Sequence, residues 1–262
     1  MEFAWYIYVL AILAGILAGI INTLAGSGSL VTLPMLIFLG LPANVANGTN
    51  RVGVIMQNIV GIATYQRAGA LDVQGSMWYT AAAVLGSLVG ARIAVDLNEQ
   101  MMNMAIGVVM IIMLVVILSN PKRWLREKSE VAEGRPGVLM LGLFFVIGIY
   151  GGFIQAGVGI FLLAALVMGV GYTLTHANAI KLVIVLALSL AAIAVFIING
   201  QVNWWFGLLM AVGQSIGAWL AARFAVNYPN SNVWVRRLLI FIIIVSALKL
   251  FGVFDLVLGM FG

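Results

Sequence analysis

The residues able to do chemistry gather in four short stretches of a chain that is otherwise apolar. NTLAGSGSLVTLP (22–34) sets Asn22, Thr23, Gly26, Ser27, Gly28 and Ser29 between two hydrophobic runs, and QAGVG (155–159) sets Gln155, Gly157 and Gly159 in a second break. NGTNR (47–51) supplies Asn47, Asn50 and Arg51, and HANAIK (176–181) supplies His176, Asn178 and Lys181, each in the first turns of a helix. Glycines let the backbone turn and approach closely. The N–H groups at the start of a helix after such a break face an anion, helped by the helix dipole. Hydroxyls and amides add neutral donors, and Arg51 and Lys181 add charge. Together these types suit a small anion that is held and then released.

Each stretch also has a plainer use. The breaks could serve helix packing, the cations could snorkel to an interface, and Asn47 and Asn178 could tie a hairpin to its neighbour. His176, next to a loop, could cap a helix or carry a proton. Arg92 and Arg223 sit near helix ends at matching positions, where snorkelling or a C-terminal dipole contact is the better reading.

The medium follows from composition. Of 262 residues, 64% are hydrophobic and 8% charged, with a mean hydropathy of +1.15; a soluble domain carries about a quarter charged residues. Several runs approach the roughly 20 apolar residues that cross a bilayer. Unpaired backbone groups there cost several kcal/mol, roughly, so a polar break needs a reason. The N-terminus lacks the basic region and cleavage site of a signal peptide. Cysteine is absent and histidine occurs once, which excludes disulfides, thiolate sites and a His-rich metal cluster within one chain. No metal or cofactor is expected. The net charge of +5 reads as cytoplasmic loop charge, not as a nucleic-acid surface. No GxxxxGK[ST] loop, arginine-rich voltage sensor or TVGYG filter occurs.

The elements that must position these residues are all helical. Helices are predicted at 4–22, 29–40, 44–66, 73–95, 100–118, 137–154, 160–171, 176–198, 204–226 and 234–258, with a charged loop over 119–136. The halves repeat. AGALD (68–72) matches NGQVN (199–203), GSLVGARIA (86–94) matches GAWLAARFA (217–225), and VANGTNRV (45–52) matches HANAIKLV (176–183), all at an offset of 131 residues. The breaks GIIN (19–22) and GFIQ (152–155) align at 133. A single helix over 4–40 would run about 55 Å, too long for a core of about 30 Å. So 4–40 is predicted to be a hairpin with its tip in the membrane. Three crossings per half then give an inverted repeat, as in many secondary transporters.

The expected fold is an all-α polytopic membrane protein of two halves, 1–118 and 137–262, joined by a cytoplasmic loop, 119–136. Lys122, Arg123, Arg126, Lys128 and Arg135 place that loop inside, which puts both termini outside. Trp5, Trp78, Trp124, Trp204, Trp205 and Trp234 fall near interfaces. GxxxG pairs at Gly15/Gly19, Gly86/Gly90, Gly148/Gly152 and Gly213/Gly217 are assigned to packing.

The sequence resembles the sulfite exporter TauE/SafE family, also called TSUP. The resemblance rests on G-x-x-x-G-x-x-N-T-L-A-G-S-G-S-L-x-x-x-P (15–34) and L-P-A-x-x-A-N-G-T-N-R (41–51), with the half-repeat at 148–181 and G-x-x-x-A-A-R at 217–223 in weaker agreement. It covers essentially the whole chain. It implies an inner-membrane permease for sulfite, sulfoacetate or related organosulfonates, and no enzyme. The second half departs from the first, with Ile180-Lys181-Leu182 in place of the asparagine–arginine pair, which argues against a symmetric two-arginine site.

The expected function is therefore export of a small sulfur-containing anion across the bacterial cytoplasmic membrane. The expected partners are that anion and the bilayer, with no nucleic acid and with a homodimer left open. Three rivals stand beside it. One is an anion-selective channel and another a structural or assembly role. The third is an intramembrane serine hydrolase using Ser27 with His176 as base, although AGSGS departs from G-x-S-x-G.

Overall fold

The computed structural model describes residues 5–119 and 137–227, apart from 68, 70, 72 and 74. The charged loop over 120–136 and the helix expected at 234–258 lie outside the described residues, as do the basic residues of that loop, Trp124 and Trp234. The described residues are helical throughout: α1 (Trp5–Ala25), α2 (Ser29–Phe38), α3 (Ala43–Arg67), α4 (Met77–Val95), α5 (Glu99–Leu118), α6 (Val138–Phe153), α7 (Val158–Ala164, continued by a π-helical turn over Ala165–Val170), α8 (Leu174–Ile198) and α9 (Trp204–Asn227). Four of them, α4, α5, α8 and α9, are long and apolar enough to cross a membrane. The 25-residue α3 is as long as any but much more polar, and its Asn47, Thr49, Asn50, Arg51, Gln57 and Asn58 are all buried. A polar helix whose polar residues face inward marks a protein interior that handles something polar.

Both predicted breaks are present, with shifted edges. The first opens later than expected. Gly26 N–H donates to the Asn22 carbonyl at 2.8 Å, so helical bonding continues to Gly26, whose φ of +73° ends it. Asn22 and Thr23 thus form the last turn of α1. The second break closes earlier than expected, at Gly157 (φ +75°), and α7 starts at Val158. The far end of α7 is wound wider than an α-helix up to Gly171 (φ +98°), a feature that 3.6-residue periodicity does not register.

Helix packing exchanges elements between the halves. α1 lies along α9 in parallel: a Cβ on Gly213 or Gly217 would overlap the carbonyl oxygens of Ile12 or Ile16. α6 lies along α4 in the same way, with Gly86 over Phe145 and Gly90 over Ile149. The 131–133 offset maps one pair onto the other. The four GxxxG pairs predicted to be packing residues are these contacts. α3 and α8, equivalent in the repeat, cross antiparallel: Gly48 meets Phe196, Gly61 meets Leu182, and Tyr65 Oη bonds Asn178 Nδ2 at 3.0 Å.

The close seams are sensitive to one methyl group. Gly90→Ala would put a Cβ inside contact distance of the Ile149 carbonyl and 2.7 Å from Phe153 N. Forced separation of such a seam costs about 1–3 kcal/mol. A lower unfolding temperature in detergent is expected for Gly90→Ala, and no change for Gly142→Ala, where a Cβ meets nothing within 4 Å.

On the outer surface, Trp78, Trp204 and Trp205 are exposed near helix starts. Arg92 is exposed and pairs with Asp96 at 3.3 Å. Arg223 is also exposed and stacks on the Trp219 ring.

Candidate functional site

The two breaks meet. A Cβ on Gly26 would stand 2.7 Å from the Gly159 carbonyl carbon, and one on Gly159 would stand 2.6 Å from Gly26 Cα. Only glycine at both positions allows this approach, backbone against backbone. The short helices that leave the breaks, α2 and α7, have Gly28 and Gly157 as N-cap residues, with no side-chain cap on either N-terminus.

Around this contact each half holds the broken helix of the other. Arg51 on α3 is fully buried. Its Nη1 donates to the Gly151 carbonyl at 3.1 Å and its Nη2 to the Gly152 carbonyl at 2.6 Å, in the last turn of α6. Asn47 Nδ2, one turn earlier, donates to Phe153 O at 2.7 Å. In the other half Lys181 on α8 donates from Nζ to the Asn22 carbonyl at 3.3 Å and the Thr23 carbonyl at 3.5 Å, in the last turn of α1. Asn178 Nδ2 donates to Thr23 O at 3.3 Å, and Asn178 Oδ1 accepts from Lys181 Nζ at 2.6 Å. The end of a helix leaves carbonyls unpaired and carries partial negative charge, so a cation and an amide are a matched cap. Arg51 and Lys181 stand one place apart in the repeat, yet both do this work. Neither snorkels, with 0% and 1% of their surfaces exposed.

A second set of bonds anchors the short arms. Asn50 Nδ2 donates to Ser29 Oγ at 3.0 Å, and Asn50 Oδ1 accepts from Thr32 Oγ1, tying the first turn of α2 to α3. Asn22 Oδ1 folds back to accept the Gly28 N–H at 3.3 Å. Gln155 Nε2 donates to Ser189 Oγ on α8. Ser27 is fully buried between these groups in sequence.

So the structure brings Asn22, Thr23, Gly26, Ser27, Gly28, Ser29, Asn47, Asn50, Arg51, Gln155, Gly157, Gly159, Asn178 and Lys181 to the two breaks and their caps. His176 is the exception. It is exposed at the start of α8, with Nδ1 2.9 Å from Oγ1 of the N-cap residue Thr173. Sequence reasoning missed Phe196, whose ring lies 4.7 Å from the Arg51 guanidinium. It also missed Ser189 on α8, and the buried amides Gln57 and Gln214. For Ser189 and Gln214 the available signal was a polar residue inside a long apolar helix, and for Gln57 its place beside Asn58 in the polar α3.

Several buried polar atoms near the breaks have no protein partner: Thr23 Oγ1, Asn47 Oδ1, Arg51 Nε and Gln155 Oε1. Buried polar groups are normally satisfied. The carboxylates among the described residues are Asp96 and Glu99, both exposed at helix ends. Groups of acidic or histidine residues able to hold a metal ion do not occur among the described residues.

The description "Sulfite exporter TauE/SafE" matches residues 11–250, nearly the whole chain. The chain belongs to the sulfite exporter TauE/SafE family. A "probable membrane transporter protein" of Sinorhizobium sp is 24% identical over 249 residues, which is 95% of this chain and 94% of that protein. The probable membrane transporter protein YfcA of Escherichia coli K12 is 26% identical over 235 residues, 89% and 86% of the two chains. The probable membrane transporter protein YunE of Bacillus subtilis is 22% identical over 271 residues, 95% and 99%. No solved structure matches the chain. The TauE/SafE family consists of membrane permeases and not enzymes, so this chain is a multi-pass membrane protein of a permease family. The hydrolase alternative falls with that, and its proposed base, His176, is engaged with Thr173 at an exposed helix end.

Proposed function

We propose that this TauE/SafE chain is a secondary transporter that carries a small sulfur-containing anion out across the bacterial inner membrane. Sulfite, sulfoacetate and other organosulfonates are the substrates its family points to. The observation that carries this is the buried Arg51, held on helix-end carbonyls with Nε unspent.

The charge count favours an anion. Two helix C-termini contribute about −0.5 each, and the N-termini of α2 and α7 about +0.5 each. These cancel, and the charges of Arg51 and Lys181 remain, with Asp96 and Glu99 at exposed helix ends. A cationic, donor-rich pocket of neutral amides and hydroxyls attracts a tetrahedral or pyramidal oxyanion. It repels a cation and offers little to an apolar solute.

Movement then follows from the exchange of caps. Each half is bonded through its own α3 or α8 to the broken helix of the other, so a substrate that takes donors from Arg51 or Lys181 loosens the contact between halves. Rocking of residues 1–118 against 137–262 would open the tips to one side at a time. The antiparallel crossing of α3 and α8 supports an inverted arrangement of the halves. The positive-inside rule supports a cytoplasmic 119–136 loop and periplasmic termini. Export needs no pump, since a monoanion leaving an inside-negative cell gains about 2.3 kcal/mol per 100 mV. Backbone contact at the tips favours this gated cycle over an open anion channel.

The test is a thermal-shift screen of the purified protein against sulfite, sulfate, thiosulfate, sulfoacetate, taurine and carboxylate controls. A ligand bound only by the folded state raises the melting temperature in proportion to its occupancy. Sulfur oxyanions are expected to stabilise at micromolar concentration and acetate or succinate not at all. Equal effects from all anions, or none from any, would contradict the substrate class.

A further inference from the structure

An unexplained polar feature lies beside the tips, where α1, α3 and α9 run together. Gln214 on α9 rests against two glycines: a Cβ on Gly19 of α1 would overlap its carbonyl, and a Cβ on Gly53 of α3 would overlap its Nε2. The three helices run in the same direction here, as Ile12–Gly213 and Ile16–Gly217 on one seam, and Thr49–Asn203 and Val52–Gly207 on the other, require. One helical turn further on, four residues along each helix, come Thr23, Gln57 and Ala218. Gln57 is 1% exposed, and neither its Oε1 nor its Nε2 has a partner. Gln214 is 1% exposed with Nε2 unpartnered, and Thr23 is 1% exposed with Oγ1 unpartnered.

The repeat-related place, beside α4, α6 and α8, lacks these side chains. At the repeat offsets Gln57 becomes Leu188, Gln214 becomes Ala83 and Thr23 becomes Ala156, all buried. Gly53 becomes Ile184, also fully buried. The related place packs without amides, with one hydroxyl, Ser87 Oγ, donating to the Leu188 carbonyl at 2.7 Å. Buried side chains with unspent hydrogen bonds are costly unless something fills them.

We propose that Gln57, Gln214 and Thr23 form a second, uncharged subsite for the transported oxyanion, one step from the tips where α1, α3 and α9 run together. This inference rests on the transport function proposed above and deepens it by assigning the anion's route to that three-helix seam. Two amide N–H groups and a hydroxyl donate to oxyanion oxygens, and Gln57 Oε1 accepts from an attached water or an acidic O–H. With no charge of its own, the subsite binds more weakly than the tip site and passes the anion on. Thr23 belongs to both, since its carbonyl is held by Lys181 and Asn178 while its buried hydroxyl has no partner.

The test uses the full chain with Gln57→Leu, the residue half two carries at that place, and Gln57→Met, which keeps an unbranched side chain of similar length. Replacing a buried unpaired amide by an apolar group of similar shape is neutral or stabilising to the fold. Unliganded melting temperatures at or above wild type are therefore expected. Radiolabelled sulfite and sulfoacetate efflux from proteoliposomes is expected to fall roughly tenfold or more, the factor for one hydrogen bond to a charged group. The sulfoacetate-induced thermal shift should stay near wild type, because the tip site is intact. Efflux within about twofold of wild type in both variants would mean an ordered water only, and would overturn the subsite. A thermal shift lost in step with efflux would merge Gln57 into the tip site and overturn a second one. A wild-type chain that neither binds nor moves a sulfur oxyanion would overturn the transport function itself, and the subsite with it.

Discussion

Gly159→Ala is expected to stop transport. Gly159 does not have a positive φ, so alanine meets no backbone strain of its own at this position. What it meets is the partner tip: the new Cβ would lie 2.6 Å from Gly26 Cα and 2.8 Å from Gly26 O. Neither atom can swing aside, because both are backbone. The tips must separate by several tenths of an ångström, carrying the starts of α2 and α7 with them. Flux in proteoliposomes should drop to the level of empty vesicles. The overpacking cost to stability is about 1–3 kcal/mol. Gly26→Ala should be worse, because it adds a left-handed alanine to the same clash. Wild-type flux in Gly159→Ala would mean that the contact between breaks has no part in the cycle.

Arg51→Ala carries the other large effect, and here function and fold are lost together. The guanidinium satisfies two carbonyls at the end of α6 and lies over the Phe196 ring. Removing it leaves two buried acceptors, at about 1–3 kcal/mol each, and a helix end without its cation, at up to about 2 kcal/mol. A markedly lower melting temperature is expected along with loss of flux. A stable but inactive Arg51→Ala would mean that the cap is dispensable. Arg51→Lys separates the two roles. It keeps the charge but not the fork that spans Gly151 and Gly152. It should recover part of the stability and part of the anion-induced thermal shift. No anion response in a stable Arg51→Lys would place the anion elsewhere.

Much of the fold was legible because apolar run lengths and glycine breaks are local signals. Helix edges came within a few residues along the described chain, and the GxxxG pairs marked the two parallel seams. The site was legible by residue type but not by partnership. Nothing local in NGTNR says that Arg51 reaches Gly151 and Gly152, 100 and 101 residues away. With no carboxylate in sight, the sequence left Arg51 and Lys181 as cations awaiting an anion or snorkelling to the interface. Their actual partners are helix-end carbonyls, which every sequence has and none displays. Asn50–Arg51 against Lys181–Leu182 looked like broken symmetry, yet a one-place shift keeps the same cap. Gln57 went unnoticed among the several amides of α3, and Gln214 as one amide deep in α9. They become conspicuous only when Gly19 and Gly53 bring three helices together around them.

That two glycine-broken helices meet and open alternately around a small anion can be tested at one residue. The chain has no cysteine, so Ser27→Cys provides a single thiol at a fully buried place beside the tip contact. Its labelling by a membrane-impermeant, sulfonate-bearing thiosulfonate reagent is measured from each face of oriented vesicles, with and without sulfoacetate. The expected result is slow labelling from both faces and protection by sulfoacetate but not by acetate. Labelling from one face only, or at a rate sulfoacetate does not change, would contradict it.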